Sequence, residues 1–331
     1  MTKPTAIIKR FPADFLVAEE IDFALGDKGE HLWCYVEKTD MNTIRVKREW
    51  AQLLGCAQKE IAHSGLKDRH AVTRQWLSLP ARYGGRLPES GKGWRIIERR
   101  LNERKLRVGA HRYNHFSLIL RDVQGQRDII DNALHLLVQQ GFANRFGTQR
   151  FGHGNRQAAW EWVEKRQLPK RHDERAQVLS TLRATCFNAQ VDARHAAGLL
   201  GTAQAGDRAM LSGSNSFFVV STVDNDLRAR LASGDIALGG WLPGKEKSPL
   251  PPQVQRWLAT LDDDMTAVVA YLKQHMEDGW RALTVRPRQF SHEWLAPGTL
   301  RLTFSLPRGS YATALLDEIF TVREERAEAG G

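Results

Sequence analysis

Strand-like segments lie near both ends of this chain, and the stretch that separates them is mostly helical. Phe15–Glu20 and His31–Glu37 have the apolar pattern of strands, and a GDKGE turn joins them. Strand patterning returns near the carboxyl end, in RALTVRPRQF and TLRLTFSLPRG. Between these ends, residues 173–200 and 254–277 carry apolar side chains at helical spacing. This order predicts an α+β protein in which both ends contribute to one sheet and the middle forms an insertion domain.

An amphipathic helix is predicted over residues 43–54. Thr43 is placed to cap its amino end, and Gly55 follows its last turn. A strand is predicted from Gln75 to Leu79. The segment between helix and strand contains Asp68, which we therefore expect on a loop that enters the sheet.

A second pair of strands is predicted at Lys105–Val108 and Phe116–Leu120, with the GAHRYN segment as the hairpin connection between them. This connection would put Asn114 and Phe116 at the lip of a sheet. A helix follows over residues 128–140, and Gly141 is its predicted carboxyl-terminal cap.

Charge and cysteine content limit the class of protein. The 331 residues include 48 Lys and Arg against 38 Asp and Glu, a net charge of +10 that favours a polyanionic partner. No apolar run is long enough to cross a bilayer, and the amino terminus lacks the apolar core of a secretory signal, so we expect a cytoplasmic protein. Cys34, Cys56 and Cys186 are far apart without CxxC spacing, which predicts buried small side chains and neither a disulfide framework nor a zinc site.

The segment IAHSGLKDRHAVTRQWLSL sets one carboxylate, Asp68, among Lys67, Arg69, His70 and Arg74. Cationic neighbours favour the ionised form of a carboxyl group, and a glycine shortly before it allows a turn that fixes its direction. The pattern predicts a nucleophile. A surface turn whose charges simply pair is the alternative that the local sequence leaves open.

Other chemistries have no motif here. The glycines of FGTQRFGHGN form neither a GxxxxGK[ST] loop nor a GxGxxG motif with an acidic residue at the required distance, and no GxSxG elbow occurs. The carboxylate and histidine cluster of a metal-dependent nuclease is not recognisable. The acidic run at 262–264 could hold a metal, but it is interpreted as a solvated helix face or junction. One carboxylate with aromatic residues on a basic protein suits chemistry on an unstacked nucleobase. Phe15 or Phe116 would receive the base and Asn114 would read its edge, although a lone Phe on a strand is more often core.

GLKDRHAVTRQW resembles the motif of the tRNA pseudouridine synthase D (TruD) family in which the Asp is the catalytic nucleophile. KRFPADFLVAEE, RVGAHRYNHFSL, NRFGTQRFG and LPRGSYATALL are similar to further motifs of that family. The resemblance extends from Lys9 to Phe320.

The resemblance implies an enzyme that isomerises uridine to pseudouridine in tRNA, at position 13 in bacteria. Because the reaction involves no redox change and no external group, we expect no cofactor and no metal. The implied fold is a pseudouridine-synthase catalytic domain with a mixed, largely antiparallel sheet, interrupted by a TRUD-type α/β insertion domain, with RNA in the cleft between them. We place the catalytic domain at residues 1–140 plus 286–331 and the insertion domain at 141–285. We expect a monomer whose partner is tRNA, without membrane contact.

Carried over residue by residue, the resemblance gives Asp68 as the nucleophile, and Phe15 and Asn114 as residues that line the uridine pocket. Phe116 corresponds to the aromatic residue that would stack on the target base, where many other pseudouridine synthases have tyrosine. The remaining candidates are Lys9, a basic residue near the active site, and Tyr311, where the family has Phe.

Phosphate contacts are predicted for the basic stretch 95–112 and for Arg145 and Arg150 of NRFGTQR. The chemical step itself is open, since Asp68 could attack C1' or C6, or act as a base at C2'. Two other functions remain to be weighed. A non-catalytic RNA-binding protein, such as a folding chaperone for tRNA, would tolerate loss of Asp68, and a metal-dependent RNA nuclease would cleave chains until EDTA stopped it.

Overall fold

The computed structural model describes residues 2–147, 155–214 and 216–326. The chain forms two compact units. The first unit comprises Met1–Asn132, Pro287–Gly309 and Ile319–Gly331, and the second comprises Ala133–Arg286 and Ser310–Glu318. The assignment of residues 1–140 plus 286–331 to a catalytic domain, and of residues 141–285 to an insertion domain, stays a prediction.

The strands of the described residues are, in chain order, β1 (Thr5–Ile8), β2 (Phe15–Glu20), β3 (His31–Thr39), β4 (Ala62–His63), β5 (Val72–Pro80), β6 (Ser90–Gly91), β7 (Trp94–Asn102), β8 (Tyr113–Gln124), β9 (Phe142–Ala143), β10 (Arg208–Leu211), β11 (Phe217–Val219), β12 (Ile236–Leu242), β13 (Gly279–Ala282), β14 (Thr284–Val285), β15 (Arg288–Ala296), β16 (Thr299–Pro307) and β17 (Thr321–Glu324).

The helices of the described residues are α1 (Thr43–Leu54), α2 (Arg127–Gln140), α3 (Asn155–Glu164), α4 (His172–Ala196), α5 (Asn225–Ser233), α6 (Pro252–Leu258), α7 (Asp263–His275) and α8 (Ala312–Ile319). Short 3-10 turns occur at Pro12–Asp14, Gln58–Glu60 and Ala81–Arg86. Among these described helices, none combines the length and the apolar character that crossing a membrane requires.

The first unit is built on an eleven-stranded sheet of the order β15-β16-β8-β2-β5-β3-β7-β6, with β1 beside β8 and β17, and β4 beside β5. β2 and β5 are parallel, as are β1 and β17, and the other pairs are antiparallel. Strands from both ends of the chain share this sheet. The predicted mixed, largely antiparallel sheet, formed by both ends, is therefore confirmed.

The register of the central strands fixes which side chains share a face. Across β2 and β8, Glu19 lies opposite Asn114 and Val17 opposite Phe116. Across β8 and β16, Phe116 lies opposite Phe304. Because directly opposite residues of an antiparallel pair point to the same face, these side chains gather on one side of the sheet.

Helix α1 has the predicted bounds, but its cap differs. The Asn42 side chain, not that of Thr43, accepts the capping hydrogen bond from the backbone of Arg45 at 2.8 Å. Gly55 ends the helix with a left-handed φ of 63°, a conformation that costs glycine little. The apolar stripe of α1, Val46, Trp50 and Leu54, packs with Leu77 and Leu79 of β5. The same buried cluster includes Cys34, Val36 and Trp94.

The predicted hairpin around GAHRYN is wrong. Residues 103–112 contain no strand, and β7 pairs with β3 and β6 whereas β8 pairs with β1, β2 and β16. Leu106 is the buried anchor of this connection, and its backbone N–H donates to Ser78 Oγ at 3.0 Å. The charged side chains around it made the segment look like an alternating strand, because one inward apolar residue among outward cations gives the same local pattern.

The second unit contains a four-stranded antiparallel sheet of order β11-β10-β12-β13 and a separate β9–β14 pair. Helices α3, α4, α6 and α7 bury a shared core that includes Leu182, Trp241 and Trp257. The single helix predicted over 254–277 is instead two, α6 and α7, because Asp262 caps a new helix by accepting from Met265 N at 2.8 Å. The interpretation of the 262–264 acidic run as a helix junction is thus confirmed.

Candidate active site

Asp68 lies on the loop between β4 and β5, beside a lysine that directly follows β1. Lys9 Nζ is 3.2 Å from Asp68 Oδ2, and the lysine side chain is almost wholly buried while the carboxylate is 33% exposed. Lys9 follows β1 with a left-handed φ of 57°, a conformation that is strained for a lysine. His70 Nε2, on the same loop as Asp68, donates to the Lys9 carbonyl oxygen at 3.0 Å. Loop and strand end are therefore joined at two points.

Lys38 supports the same loop from the sheet. Its Nζ donates to the backbone carbonyl oxygen of Asp68 at 2.7 Å, and its side chain is fully buried at the end of β3. Burial lowers the pKa of Lys38 from 10.5 to about 8, and the nearby Asp68 charge opposes that shift. The backbone position of Asp68 thus depends on a charged group in the sheet.

Aromatic rings form an apolar wall next to Lys9. Lys9 Nζ lies 4.7 Å from the centroid of the Phe15 ring. Phe15 meets Phe116 edge-on at 6.3 Å, and Phe116 stacks on Phe304 at 5.2 Å. Phe15 and Phe116 are 4% and 6% exposed. Because Phe304 covers one face of the Phe116 ring, any stacking of a base on Phe116 has to use the rest of its surface.

The turn before β2 sets the position of Phe15. Asp14 is buried, and both of its carboxylate oxygens accept from Arg121 of β8, at 2.7 and 2.8 Å. Asp14 Oδ2 also accepts from the backbone N–H of Phe11 at 3.1 Å. A bidentate, buried pair of this kind fixes geometry more firmly than a surface pair does.

Asn114 is held by a buried ion pair. Lys67 Nζ donates to Asn114 Oδ1 at 2.7 Å and lies 2.9 Å from Glu19 Oε1. The second Glu19 oxygen accepts from the backbone N–H of Trp76 at 3.1 Å. Burial raises the pKa of Glu19, and Lys67 partly offsets that shift. Lys67 thus ties the Asp68 loop to the side chain predicted to read the base.

His111 completes the surroundings of Asn114. Its Nδ1 lies 2.5 Å from Ser64 Oγ, and its Nε2 lies 3.4 Å from Asn114 Nδ2. Burial, with contributions from Lys67 and Arg308, lowers the pKa of His111 to about 4. The imidazole is therefore neutral at neutral pH, and it serves Ser64 and Asn114 as a hydrogen-bonding group rather than as a cation.

Helix α1 and strand β5 hold the loop from a third direction. Thr43 Oγ1 accepts from the backbone N–H of Lys67 at 3.1 Å and donates to Gln75 Oε1 at 2.8 Å. Gln75 Nε2 donates to the Gly65 carbonyl oxygen at 3.1 Å. The residue expected to cap α1 instead connects the helix to the loop.

The cations close to Asp68 in sequence have other partners. Arg74 points to the opposite face of β5 from Gln75 and donates to Glu37 at 2.8 Å. Arg69 is exposed and lies 3.7 Å from Asp40. Local sequence identified a cationic setting for Asp68, but the lysine that contacts the carboxylate is the distant Lys9.

Two further candidates, Arg145 and Tyr311, belong to the second unit. Arg145 pairs with Asp192 at 2.6 Å. The Tyr311 ring is tilted against Phe146 with centroids 6.2 Å apart. Arg150 lies outside the described residues. Within the described ranges, no three His, Cys, Asp or Glu side chains converge as a group that could hold a metal ion.

Sequence reasoning missed three members of this cluster, Lys38, Glu19 and His111. Lys38 continues the inward phase of Leu32, Cys34 and Val36 on β3, so a charge sits where the pattern calls for an apolar residue. Glu19 breaks the inward phase of β2 in the same way. For Lys38 and Glu19, the sequence signal was a charged residue at a position where the strand pattern places a buried side chain.

Comparison with known proteins gives a consistent set of matches. The family model described as tRNA pseudouridine synthase D (TruD) matches residues 3–160 and 176–319. A Pseudomonas putida protein named tRNA pseudouridine synthase D is 36% identical over 324 residues, covering 95% of this chain and 91% of its own. A protein of the same name from Proteus mirabilis is 33% identical over 338 residues, covering 98% and 95%. A crystal structure from Methanosarcina mazei, also named for TruD, has a TM-score of 0.68 at 20% identity and covers 96% of this chain and 94% of that one, which shows a shared fold.

Proposed function

The chain belongs to the tRNA pseudouridine synthase D family and is an RNA pseudouridine synthase, and we propose that Asp68 is the nucleophile with which it isomerises uridine at position 13 of tRNA. The observation that carries the proposal is the 3.2 Å contact between Asp68 and the buried Lys9. The buried ammonium places a positive charge beside the carboxylate and restricts its orientation, which suits a group that attacks one position of the substrate.

The surroundings of Asp68 suit a detached uracil. The reaction breaks the C1'–N1 bond, turns the free base and joins C5 to C1', so the base has to be retained between the two steps. The apolar wall of Phe15 and Phe116 lies on the Lys9 side of the loop. Such a wall limits the access of water and disfavours escape of the intermediate.

Asn114 is proposed to hydrogen-bond the edge of the uracil. Its Oδ1 accepts from Lys67, so the amide orientation is fixed and its Nδ2, which lies 3.4 Å from His111 Nε2, is the donor that we assign to the base. A fixed donor favours a base edge that presents a carbonyl oxygen. This assignment supports uracil, whose C2 and C4 oxygens are acceptors.

The proposed reaction uses side chains of the protein alone, without a metal or a cofactor. Asp68 attack at C1', attack at C6 and proton removal at C2' all use one carboxylate, and the proposal does not depend on which occurs.

We retain as proposals that Tyr311, Arg145 and Arg150 contact RNA, that residues 1–140 plus 286–331 are the catalytic domain, and that the protein acts without a cofactor as a cytoplasmic monomer. The basic composition supports RNA as the partner.

Asp68→Asn tests the proposal against the alternative of a non-catalytic RNA-binding protein. The matched control is Asp27→Asn, which changes an exposed carboxylate in the turn between β2 and β3. Pseudouridine in purified tRNA is measured by mass spectrometry, and tRNA affinity by equilibrium binding. We expect Asp68→Asn to abolish product while affinity persists, and Asp27→Asn to behave as the parent. Normal product formation by Asp68→Asn would reject the assignment.

A further inference from the structure

We propose that Lys47, His63 and Lys105 form a phosphate-binding subsite, which holds the RNA backbone next to the nucleotide that reaches Asp68. The inference rests on the proposed function for the identity of the ligand as RNA. It is carried by a buried lysine, Lys47, for which the residues that the structure describes provide no carboxylate partner.

Lys47 lies in the buried stripe of α1, next to Val46 and one turn before Trp50 and Ala51. The residue is only 9% exposed. Among the described residues, no carboxylate oxygen lies within 4.0 Å of its Nζ. The polar contact of the ammonium is instead His63 Nδ1, at 3.4 Å.

An ammonium in this position is costly to the fold. Buried charges in proteins are normally paired, because the interior cannot replace the hydration that they lose. Burial and the charge of Lys105 both lower the pKa of Lys47. The chain therefore concentrates positive charge at a place where a hydrophobic residue would suit the packing of α1 better, which indicates an anionic ligand.

His63 adds a neutral donor to this charge. Burial, Lys47 and Lys67 lower its pKa to about 4, so its ring is neutral at neutral pH. Since the Lys47 ammonium donates to Nδ1, the ring proton is placed on Nε2. An N–H donor beside an ammonium matches the several acceptor oxygens of a phosphate group.

Lys105 brings a second cation from the connection after β7. Its Nζ donates to the carbonyl oxygen of Lys59 at 3.0 Å, and its side chain is exposed. No ion pair joins Lys105 to a carboxylate of the described residues. The charge of Lys105 is thus available to a ligand that approaches Lys47 from solvent.

The subsite adjoins the Asp68 loop. Thr43, whose Oγ1 accepts from the backbone N–H of Lys67, lies four residues before Lys47 on α1, a distance of about 6 Å along the helix axis. His63 ends β4, and Ser64 and Gly65 follow it into the loop. A phosphate at Lys47 would therefore belong to a nucleotide close to the one presented to Asp68, and the contact would set position rather than sequence.

Lys47→Met tests this subsite, because methionine keeps most of the side-chain volume and removes the charge. The control is Lys92→Met, which changes an exposed lysine in the turn between β6 and β7. Equilibrium binding of substrate tRNA is measured from low to high KCl, together with thermal unfolding. For Lys47→Met we expect about 3- to 10-fold weaker binding at low salt and a slope of log affinity against log salt that is shallower by about 1.

Stability separates a ligand role from a structural one. We expect Lys47→Met to unfold at the same temperature as the parent or higher, because an unpaired buried charge is removed. If Lys47→Met does not fold, Lys105→Met replaces it, since Lys105 is exposed and its loss cannot disturb the core. Unchanged affinity and slope in the folded variants would overturn the subsite.

Inorganic phosphate distinguishes RNA from a free anion as the ligand. We expect millimolar phosphate to raise the unfolding temperature of the parent more than that of Lys47→Met, in addition to the loss in tRNA binding. Protection by phosphate without any change in tRNA binding means a free-anion site and contradicts the proposal. Because binding is measured without catalysis, a parent protein that binds tRNA but makes no pseudouridine would count against the proposed function alone.

Discussion

Lys38 Nζ donates a 2.7 Å hydrogen bond to the backbone carbonyl oxygen of Asp68. The contact joins the buried end of β3 to the loop that carries the proposed nucleophile. A charge-assisted hydrogen bond is roughly twice as strong as a neutral one, so a buried lysine restrains the loop more firmly than a neutral donor would. Lys38 is thus a positioning residue that acts through the backbone of Asp68.

Lys38→Met should lower kcat by about 10- to 100-fold with little change in tRNA affinity, because small displacements of a catalytic group have effects of that size. Single-turnover kinetics and equilibrium binding separate the two quantities. Lys92→Met is the control, since it removes an exposed lysine. A kcat equal to that of the parent would show that the loop keeps its position without this bond.

The pH dependence of Lys38 gives opposite trends for activity and stability. Above pH 8 the ammonium, with its pKa of about 8, loses its proton, so the bond to Asp68 weakens and kcat should fall. In the unfolded chain the pKa of this lysine is near 10.5. Between pH 8 and 10.5 the unfolded state therefore binds more protons than the folded state. The free energy of unfolding should rise across that window by on the order of 3 kcal/mol.

Urea unfolding and single-turnover rates at pH 7 to 10 measure both trends. Lys38→Met is the reference, because it lacks the titrating group and should lose both effects. The assignment of Lys38 does not survive if parent and variant show the same two pH profiles.

The buried pair of Glu19 and Lys67 should behave as a coupled unit. Lys67→Met leaves a buried carboxyl group without its cation, and we expect it to lower the free energy of unfolding by about 3 kcal/mol. Glu19→Gln combined with Lys67→Met should cost less than the sum of the single changes. Urea unfolding of the four proteins gives the coupling energy.

The surface pair of Glu161 in α3 and Lys165, the residue that follows the helix, is 3.3 Å apart and is the matched control for that cycle. An exposed pair at this helical spacing contributes only about 0.3–0.5 kcal/mol. The coupling energy of Glu19 and Lys67 should exceed that of the surface pair. If it does not, the two buried side chains do not form the ion pair that we propose to support Asn114.

The local sequence was sufficient to predict individual helices and strands. The bounds of α1 follow from apolar spacing and Gly55, and the strands at both ends follow from alternation. The contact of Lys9 with Asp68 depends on the pairing of β1 with β8 and β17, which no local pattern encodes. The hairpin prediction failed for the same reason, since β7 and β8 each pair with strands distant in sequence.

The role of Gly65 could be predicted only in part from the sequence. A glycine near Asp68 was expected to allow an unusual turn, but Gly65 does not have a left-handed φ. The space around it is restricted instead. A Cβ at this position would lie 3.1 Å from His111 Cε1, 3.3 Å from Glu19 Oε1 and 3.6 Å from Lys67 Nζ. These distances depend on tertiary packing, so the sequence could indicate a small residue without giving the reason.

Gly65→Ala should therefore reduce kcat by about tenfold, because the added methyl group presses on His111 and on the pair of Glu19 and Lys67 that holds Asn114. The free energy of unfolding should change by less than about 1 kcal/mol, since alanine reduces the entropy of the unfolded chain and offsets part of the strain. Gly85→Ala is the control, because a Cβ there meets no atom within 4 Å and its φ is not left-handed. Steady-state kinetics and urea unfolding measure both effects. Equal kcat values for the two alanine variants would show that Asn114 tolerates movement of its supporting groups, and the link between Lys67 and the base-reading amide would have to be abandoned.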